Sequence, residues 1–304
     1  MSPTTCEPPA ARPAATFSLP KRKQRLSKAP LRFASFLAPN MFPVYRFIVR
    51  HIASRLGCAI DLFTGSCYQQ LAGELDAAFV CGLAYVELAR MQNVAIDPLA
   101  APVLQGERYG GKPVYFSDVI VRRERSFYAF ADLRGCSWSY NEPHSHSGYG
   151  IVRYELARRG ETRHFFGRVV QAGYHERSIR LVCSGAVDAA AIDSQVLAVA
   201  WRDDPELAAR LRILDSFGPS TIQPLVVARR LPERLRAELL SVLLEMSEDR
   251  AVQAALAQGF IQRFVPVSDS SYDDIREMMR RGQAADRMRG SKGGHSIKVC
   301  DSGR

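Results

Sequence analysis

The stretch LRFASFLAPNMFPVYRFIVRHIASRLG, residues 31–57, decides the fold class. Its first eight residues alternate apolar and polar side chains, which is typical of a β-strand, and Pro39-Asn40 ends that pattern. Apolar residues then recur every three or four positions as far as Leu56, and Gly57 follows in the position that favours the end of an α-helix. The stretch therefore predicts a strand followed directly by a helix.

The same strand–helix unit recurs along the chain. Strands are predicted at residues 58–64, 76–81, 114–122, 136–141, 164–172 and 187–192, with helices between them; after an extended segment at 223–228 we expect helices only. Continuous apolar strands that alternate with helices favour mainly parallel sheets with helices on both faces. Because the chain crosses twice between two such runs, near 113–123 and 213–224, we expect two α/β lobes that close around a ligand on a two-strand hinge.

The net charge of +10 lies almost entirely at the two ends of the 304-residue chain. Residues 1–30 hold a charge of +5 and residues 281–304 a charge of +4, whereas residues 31–280 contain 29 basic and 28 acidic side chains. A nucleic-acid-binding protein should carry its basic residues on the folded part, so no nucleic-acid partner is expected. No run of about 18 apolar residues occurs, so we expect no membrane-spanning segment.

The end segments and the cysteines carry three further expectations. Residues 1–30 are rich in Pro and Ala and then basic, and residues 282–304 turn to Gly, Lys and Ser, so both predict disorder. The first segment lacks the apolar stretch of an export signal, which predicts a chain that stays in the cytoplasm. Seven cysteines without a CxxC pair argue against a zinc site or a disulfide framework and favour free, buried thiols.

The segment SYNEPHSHSGYGIVRYELA, residues 139–157, predicts a binding site. It places Ser145, His146, Ser147 and Gly148 where a strand ends and a helix begins. A helix start has unpaired backbone N–H groups and a partial positive charge, so small hydroxyl residues there favour an oxyanion site. The plainer interpretation is that a serine only caps the helix.

The same region does not match the sequence pattern of a metal site or of a catalytic serine. His144 and His146 have no third ligand at a recognised spacing, so no metal site is predicted. No glycine precedes Ser145 or Ser147 by two positions, so the segment is not a nucleophile elbow, and we expect no enzyme. His175, in the next strand-to-helix loop, is either a surface residue or a ligand contact, and we favour the contact because ligands of α/β sheets gather at the carboxyl ends of strands.

Five longer sequence segments make the chain resemble a known family: ELDAAFVCGLAYVELA (74–89), VYFSDVIVR (114–122), EPHSHSGY (142–149), AGYHERSI (172–179) and VDAAAIDS (187–194). Over residues 31–279 the sequence resembles the PhnD-type receptors for phosphonate, phosphate and phosphite of bacterial ABC transporters. The resemblance implies a type II periplasmic-binding-protein fold, a small oxyanion ligand, a permease partner and a periplasmic or cell-envelope location. It implies no cofactor, and we expect a monomer.

The resemblance also assigns the phosphonate-binding residues. The family's D-P-x-S-T-S-G word corresponds to residues 142–148, with His146 in place of the threonine. The family's His-Glu pair corresponds to His175 and Glu176.

Further positions follow from the same resemblance. The two ligand-facing tyrosines of the family correspond to Tyr68 and Tyr115. Two carboxylates that hold an ammonium group in aminoalkylphosphonate receptors correspond to the neutral Gln195 and Gln223, which disfavours an amine-bearing ligand.

The expected lobe boundaries complete the sequence-based hypothesis. Residues 31–115 together with 223–281 would form one lobe, and residues 116–222 the other. Two alternatives stay open: a receptor of the same fold for an alkylsulfonate or a pyrimidine-type solute, which would stack on Tyr68, Tyr115 or Phe116, and a cytoplasmic sensor or enzyme built on this fold.

Overall fold

Eleven strands in two separate sheets organise residues 29–288, which are the residues that the computed structural model describes. The strands are β1 (Leu31–Ser35), β2 (Ile60–Thr64), β3 (Ala77–Phe79), β4 (Ile96–Leu104), β5 (Val114–Arg122), β6 (Ser137–Tyr140), β7 (Arg168–Gln171), β8 (Ala189–Asp193), β9 (Leu211–Thr221), β10 (Leu225–Ala228) and β11 (Ile261–Pro266). The helices are α1 (Phe42–Leu56), α2 (Gly82–Leu88), α3 (Ile151–Arg158), α4 (His175–Cys183), α5 (Ser194–Asp203), α6 (Pro205–Arg210), α7 (Glu233–Glu245), α8 (Arg250–Ala257) and α9 (Asp273–Met288). The expectations of disorder and of a missing export signal concern residues 1–30, of which 29–30 are described, and residues 282–304, of which 282–288 are described and form the end of α9 instead of a disordered tail.

The two sheets define two lobes. Lobe 1 is built on the six-stranded sheet, in the order β11-β4-β10-β3-β1-β2, and lobe 2 on the five-stranded sheet, in the order β7-β6-β8-β5-β9. The chain passes from lobe 1 to lobe 2 between β4 and β5 and returns between β9 and β10. This is the predicted α/β architecture with two crossings.

The sheets are mixed, which differs in detail from the expectation of mainly parallel sheets. Strand β1 pairs in parallel with β2 and β3, and β6 pairs in parallel with β7 and β8. The strands next to the crossings, β5, β9 and β10, pair antiparallel with their neighbours because the chain enters each sheet there from the opposite end.

Two strands of lobe 1 were not predicted. Strand β4 contains Pro98 and Pro102, which argue against a strand inside a sheet, yet it lies between β10 and β11. The expectation of helices only beyond residue 228 is wrong because β11 follows α8. Only Ile261 and Phe264 of its six residues are fully buried, so its apolar signal is short.

The first strand–helix unit forms as its pattern predicts. Helix α1 buries Ile48, Val49 and Ile52 against the sheet, and it ends at Gly57, whose φ of 65° lies in the left-handed region. Glycine adopts that conformation without strain, so the helix stops there.

Cysteine chemistry differs from the expectation at one residue. Cys58, Cys81, Cys136 and Cys183 are free thiols; Cys81 and Cys183 are buried as predicted, whereas Cys58 and Cys136 are half-buried. Cys67 is disulfide-bonded, so the prediction of free thiols is wrong for this residue. Of the helices among residues 29–288, none is long and apolar enough to cross a membrane.

Candidate functional site

A cleft of about 490 Å³ lies where strands of both lobes end. Lobe 1 contributes residues at and after the ends of β1 and β2, and lobe 2 contributes residues at and after the ends of β6, β7 and β8. These are the carboxyl ends of strands, where ligands of open α/β sheets bind. The lining residues are Ser35, Phe36, Leu37, Ala38, Met41, Tyr45, Thr64, Gly65, Ser66, Cys67, Tyr68, Cys81, Asn141, Glu142, Ser145, Ser147, Gln171, Gly173, Tyr174, His175, Asp193, Gln195, Val196 and Gln223.

Six of the nine residues predicted for the site line this cleft, and three do not. Those in the lining are Tyr68, Ser145, Ser147, His175, Gln195 and Gln223. Tyr115, His146 and Gly148 are packed behind it. Asn141, Glu142 and Asp193 also line the cleft. They were not among the nine predicted residues, although Glu142 begins the family's binding motif and each of the three ends or follows a predicted strand of lobe 2.

A short turn of π-helix at His146–Gly150 forms the centre of the lobe 2 wall and runs directly into α3. Ser145 caps it, because its Oγ accepts a hydrogen bond from the backbone N–H of Gly148 at 3.1 Å. The Oγ of Ser147 lies 3.5 Å from that of Ser145, so two hydroxyl groups stand side by side at the start of the helical segment. The capping interpretation and the binding-site prediction are therefore compatible. We call Ser145 and Ser147 the hydroxyl pair.

Close packing fixes the turn from behind. The hydroxyl of Ser117, on β5, donates a hydrogen bond of 2.6 Å to the carbonyl of Ser147. A Cβ atom on Gly148 would lie 2.0 Å from Oδ1 of Asn141, which is impossible without displacing Asn141. Gly148 thus serves the site through its missing side chain.

His175, at the start of α4, contacts the hydroxyl pair. Its Nε2 lies 3.0 Å from Oγ of Ser147, whereas its Nδ1 is buried without a hydrogen-bond partner among the described residues. Burial lowers the pKa of His175 to about 3, so the ring is neutral at physiological pH. One ring nitrogen of a neutral histidine donates and the other accepts.

His146 does not point into the cleft. Its Nε2 lies 2.9 Å from Oγ of Ser220, and its backbone N–H donates to Sγ of Cys81 at 3.1 Å. Burial lowers its pKa to about 3. The buried ring of Tyr115 lies behind it, with the two ring centroids 6.4 Å apart. In this conformation neither His146 nor Tyr115 lines the cleft: the His146 ring is engaged with Ser220, and the hydroxyl of Tyr115 is buried without a hydrogen-bond partner among the described residues.

A second helix start meets the cleft at α5, and a carboxylate caps it. Oδ1 of Asp193 accepts hydrogen bonds from the backbone N–H groups of Gln195 at 2.8 Å and Val196 at 3.2 Å, and its Oδ2 accepts one from the side chain of Gln223. Burial raises the pKa of Asp193 to about 6. The side-chain amide of Gln195 donates to the carbonyl of Gly259 in lobe 1 at 2.6 Å. Both neutral amides are thus engaged with protein groups.

Contacts between the lobes lie on either side of the cleft. Asn40 of lobe 1 donates from its backbone N–H to Glu176 at 2.8 Å and from its amide to the carbonyl of Val196 at 3.1 Å. On another side, Nδ1 of His144 lies 2.8 Å from a carboxylate oxygen of Glu87. The lobes therefore touch around the cleft, as expected of a closed conformation.

No lysine or arginine occurs among the described residues that line the cleft. Its two carboxylates are Glu142 and Asp193, and burial raises the pKa of both. Positive potential comes instead from backbone N–H groups at helix starts and from hydroxyl dipoles. Residues 29–288 contain no group of three or more metal-binding side chains.

Comparison with known proteins gives one consistent result. The model of the family described as "ABC transporter, phosphonate, periplasmic substrate-binding protein" matches residues 35–272. A "Probable ABC transporter phosphite binding protein" from Prochlorococcus marinus (strain MIT 9301) is 27% identical over 222 residues, which are 68% of this chain and 72% of that protein.

Solved structures show the same fold. The binding-protein component of an ABC phosphonate transporter from Pseudomonas aeruginosa superposes with a TM-score of 0.75 at 18% identity, over 88% of this chain and 91% of that one. A Prochlorococcus marinus protein in complex with methylphosphonate gives 0.69 at 20% identity, over 83% and 97%. The predicted type II periplasmic-binding-protein fold is confirmed, and the comparisons favour the phosphonate-receptor family over the two alternatives.

Proposed function

The chain belongs to the family of phosphonate substrate-binding proteins of ABC transporters, and from this premise we propose that it captures a small phosphorus oxyanion in the cleft between its lobes. Phosphonate, phosphite and phosphate share the tetrahedral, acceptor-only group that this cleft can hold. Members of this family are solute-binding components of transport systems and not enzymes.

One observation carries the proposal: the hydroxyl pair and His175 converge at the start of a helical segment inside the cleft. An oxyanion accepts hydrogen bonds and donates few, so it needs donors that are already oriented. Hydroxyl groups, backbone N–H groups and a neutral imidazole supply donors without a formal charge. The partial positive charge of the helix start favours the anion further.

Ser147 and His175 also resemble a catalytic pair, because in many enzymes a serine nucleophile lies next to a histidine that acts as its base. Here His175 has a pKa lowered to about 3, and its Nδ1 lacks an orienting partner in the described part of the chain. So weak a base would not activate a hydroxyl, which supports binding without a covalent step.

We further propose that the closed protein delivers its ligand to a membrane permease, that it acts as a monomer, and that it works in the periplasm or cell envelope. The family's role supports the permease and the location. Fractionation of cells that express the gene from its own locus tests the location: recovery in the cytoplasmic fraction alone would contradict it.

Isothermal titration calorimetry of the full chain tests the binding proposal. We expect saturable one-to-one binding of methylphosphonate, phosphite or phosphate, and a loss of about tenfold or more in Ser147→Ala, because a hydrogen bond to a charged group is removed. The matched control is Ser184→Ala, an exposed serine at the end of α4. Failure of all three anions to bind, together with binding of a pyrimidine or an alkylsulfonate, would overturn the proposal.

A further inference from the structure

The cleft is much larger than a tetrahedral oxyanion. Its volume of about 490 Å³ falls within the range of clefts that bury a whole drug-sized ligand, about 300–1,000 Å³. A water molecule takes up about 30 Å³ in the liquid, and an oxyanion of five heavy atoms is only a few times larger. Because the lobes already touch through Asn40 and His144, this is not the volume of a wide-open form.

Beyond the hydroxyl pair, the lining of the cleft includes aromatic rings from both lobes. In lobe 1 the rings of Phe36 and Tyr68 are stacked, with centroids 4.6 Å apart. In lobe 2 Tyr174 lines the cleft and is 56% exposed, which is unusual for so large an apolar ring. We call Phe36, Tyr68 and Tyr174 the aromatic wall. Such surfaces favour flat or bulky apolar groups.

The carboxylates that line the cleft are poorly placed to bind a positively charged group on the ligand. The Asp193 carboxylate already accepts three hydrogen bonds from Gln195, Val196 and Gln223. Burial raises the pKa of Glu142, the other lining carboxylate, and the hydroxyl of Tyr68 interacts with this carboxylate. A ligand that carried an ammonium group would therefore find no lining carboxylate without a protein partner.

Resting on the proposed function, we infer that the oxyanion bound here carries an uncharged aromatic or similarly bulky apolar substituent, which packs against the aromatic wall. The oxyanion end binds at the hydroxyl pair, and the substituent fills the remaining volume. A phosphonate and a phosphate monoester share this chemistry, and they differ in whether carbon or oxygen joins the substituent to phosphorus.

Calorimetry with four probes tests the inference: methylphosphonate, phenylphosphonate, phenyl phosphate and 2-aminoethylphosphonate. We expect phenylphosphonate to bind about tenfold more tightly than methylphosphonate, and 2-aminoethylphosphonate to bind no better than methylphosphonate. Phenyl phosphate distinguishes the two sources, because tighter binding of this probe than of phenylphosphonate would identify a phosphate ester as the ligand.

Variants of Tyr174 locate the effect. Tyr174→Ala should bring the phenyl-to-methyl preference close to one, and Tyr174→Phe should keep the preference. Tyr128→Ala is the control, because Tyr128 is 85% exposed and does not line the cleft. Equal binding of methyl and phenyl probes, or a preference that survives in Tyr174→Ala, overturns the inference while leaving the proposed function intact. Tightest binding of 2-aminoethylphosphonate also overturns it. If none of the four probes binds, the inference fails, and titration with phosphite and phosphate then decides whether the proposed function stands.

Discussion

Two helix starts meet in the same cleft, and they are capped in opposite ways. Ser145 caps the segment that leads into α3, after β6, whereas Asp193 caps α5, after β8. Strands β6 and β8 are parallel neighbours, so the two starts occupy equivalent places in one sheet. A hydroxyl cap pairs a backbone N–H and adds no charge, while a carboxylate cap supplies the negative charge itself. Equivalent topology therefore does not make equivalent sites: we propose that an external anion binds at the first start, because Asp193 already supplies a negative charge at the second.

The largest expected effect comes from making the first start resemble the second. Ser147→Asp places a carboxylate beside the ligand position and should weaken methylphosphonate binding by at least about 100-fold through like-charge repulsion. Calorimetry measures the loss, and circular dichroism checks that the variant folds. Retention of the parent affinity would mean that the anion does not bind at the hydroxyl pair.

The reverse change should have a smaller effect of opposite sign. Asp193→Asn keeps a cap on α5 but removes a buried negative charge from the cleft, so methylphosphonate should bind about three- to tenfold more tightly at pH 8, where Asp193 is ionised. The measurement is a calorimetric dissociation constant at pH 8. A weaker complex would show instead that Asp193 contributes favourably to the ligand.

The two helix starts also affect the pH dependence of stability in opposite directions. Burial lowers the pKa of His146 and His175 to about 3, so below pH 6.5 the unfolded chain binds protons that the folded chain does not, and stability falls with falling pH. Asp193, with its pKa raised to about 6, acts in the opposite sense between about pH 4 and 6, where the folded chain holds the extra proton.

Urea unfolding between pH 4.5 and 5.5 measures these slopes. The quantity compared is the slope of the free energy of unfolding against pH. His175→Gln should lower this slope by about 1.4 kcal/mol per pH unit relative to the parent, and Asp193→Asn should raise it by about the same amount. Parallel slopes in all three proteins would contradict the protonation states assigned to the cleft.

The smallest effect concerns how each start is tethered to lobe 1. His144, beside the hydroxyl pair, contacts Glu87, and this contact raises the pKa of His144, whereas Gln195 tethers α5 through an uncharged amide. A raised histidine pKa stabilises the folded state below pH 6.5, and the contribution disappears as pH rises through the folded value. His144→Gln should therefore cost less than about 1 kcal/mol at pH 6 and less still at pH 8.5. Urea unfolding of this variant beside Gln195→Ala, whose cost should not change with pH, checks the contrast.

Much of the fold and part of the site could be predicted from sequence. The 3.6-residue pattern of α1 and its final Gly57 gave a strand–helix unit that the structure contains, and the position of Ser145 and Ser147 after a strand placed them at the cleft. The direction of the His146 ring could not be predicted, because it depends on a π-helical turn that rotates successive side chains differently from an α-helix. Strand β4 was missed because its prolines carry a local signal that tertiary pairing overrides.

The lack of lysine and arginine among the described lining residues has a consequence for the solution around the protein. Oriented dipoles act over a few ångströms, whereas the field of a formal charge extends to the Debye length, about 8 Å at physiological ionic strength. The affinity for the ligand should accordingly change little with ionic strength, and the association rate should depend little on long-range electrostatic steering.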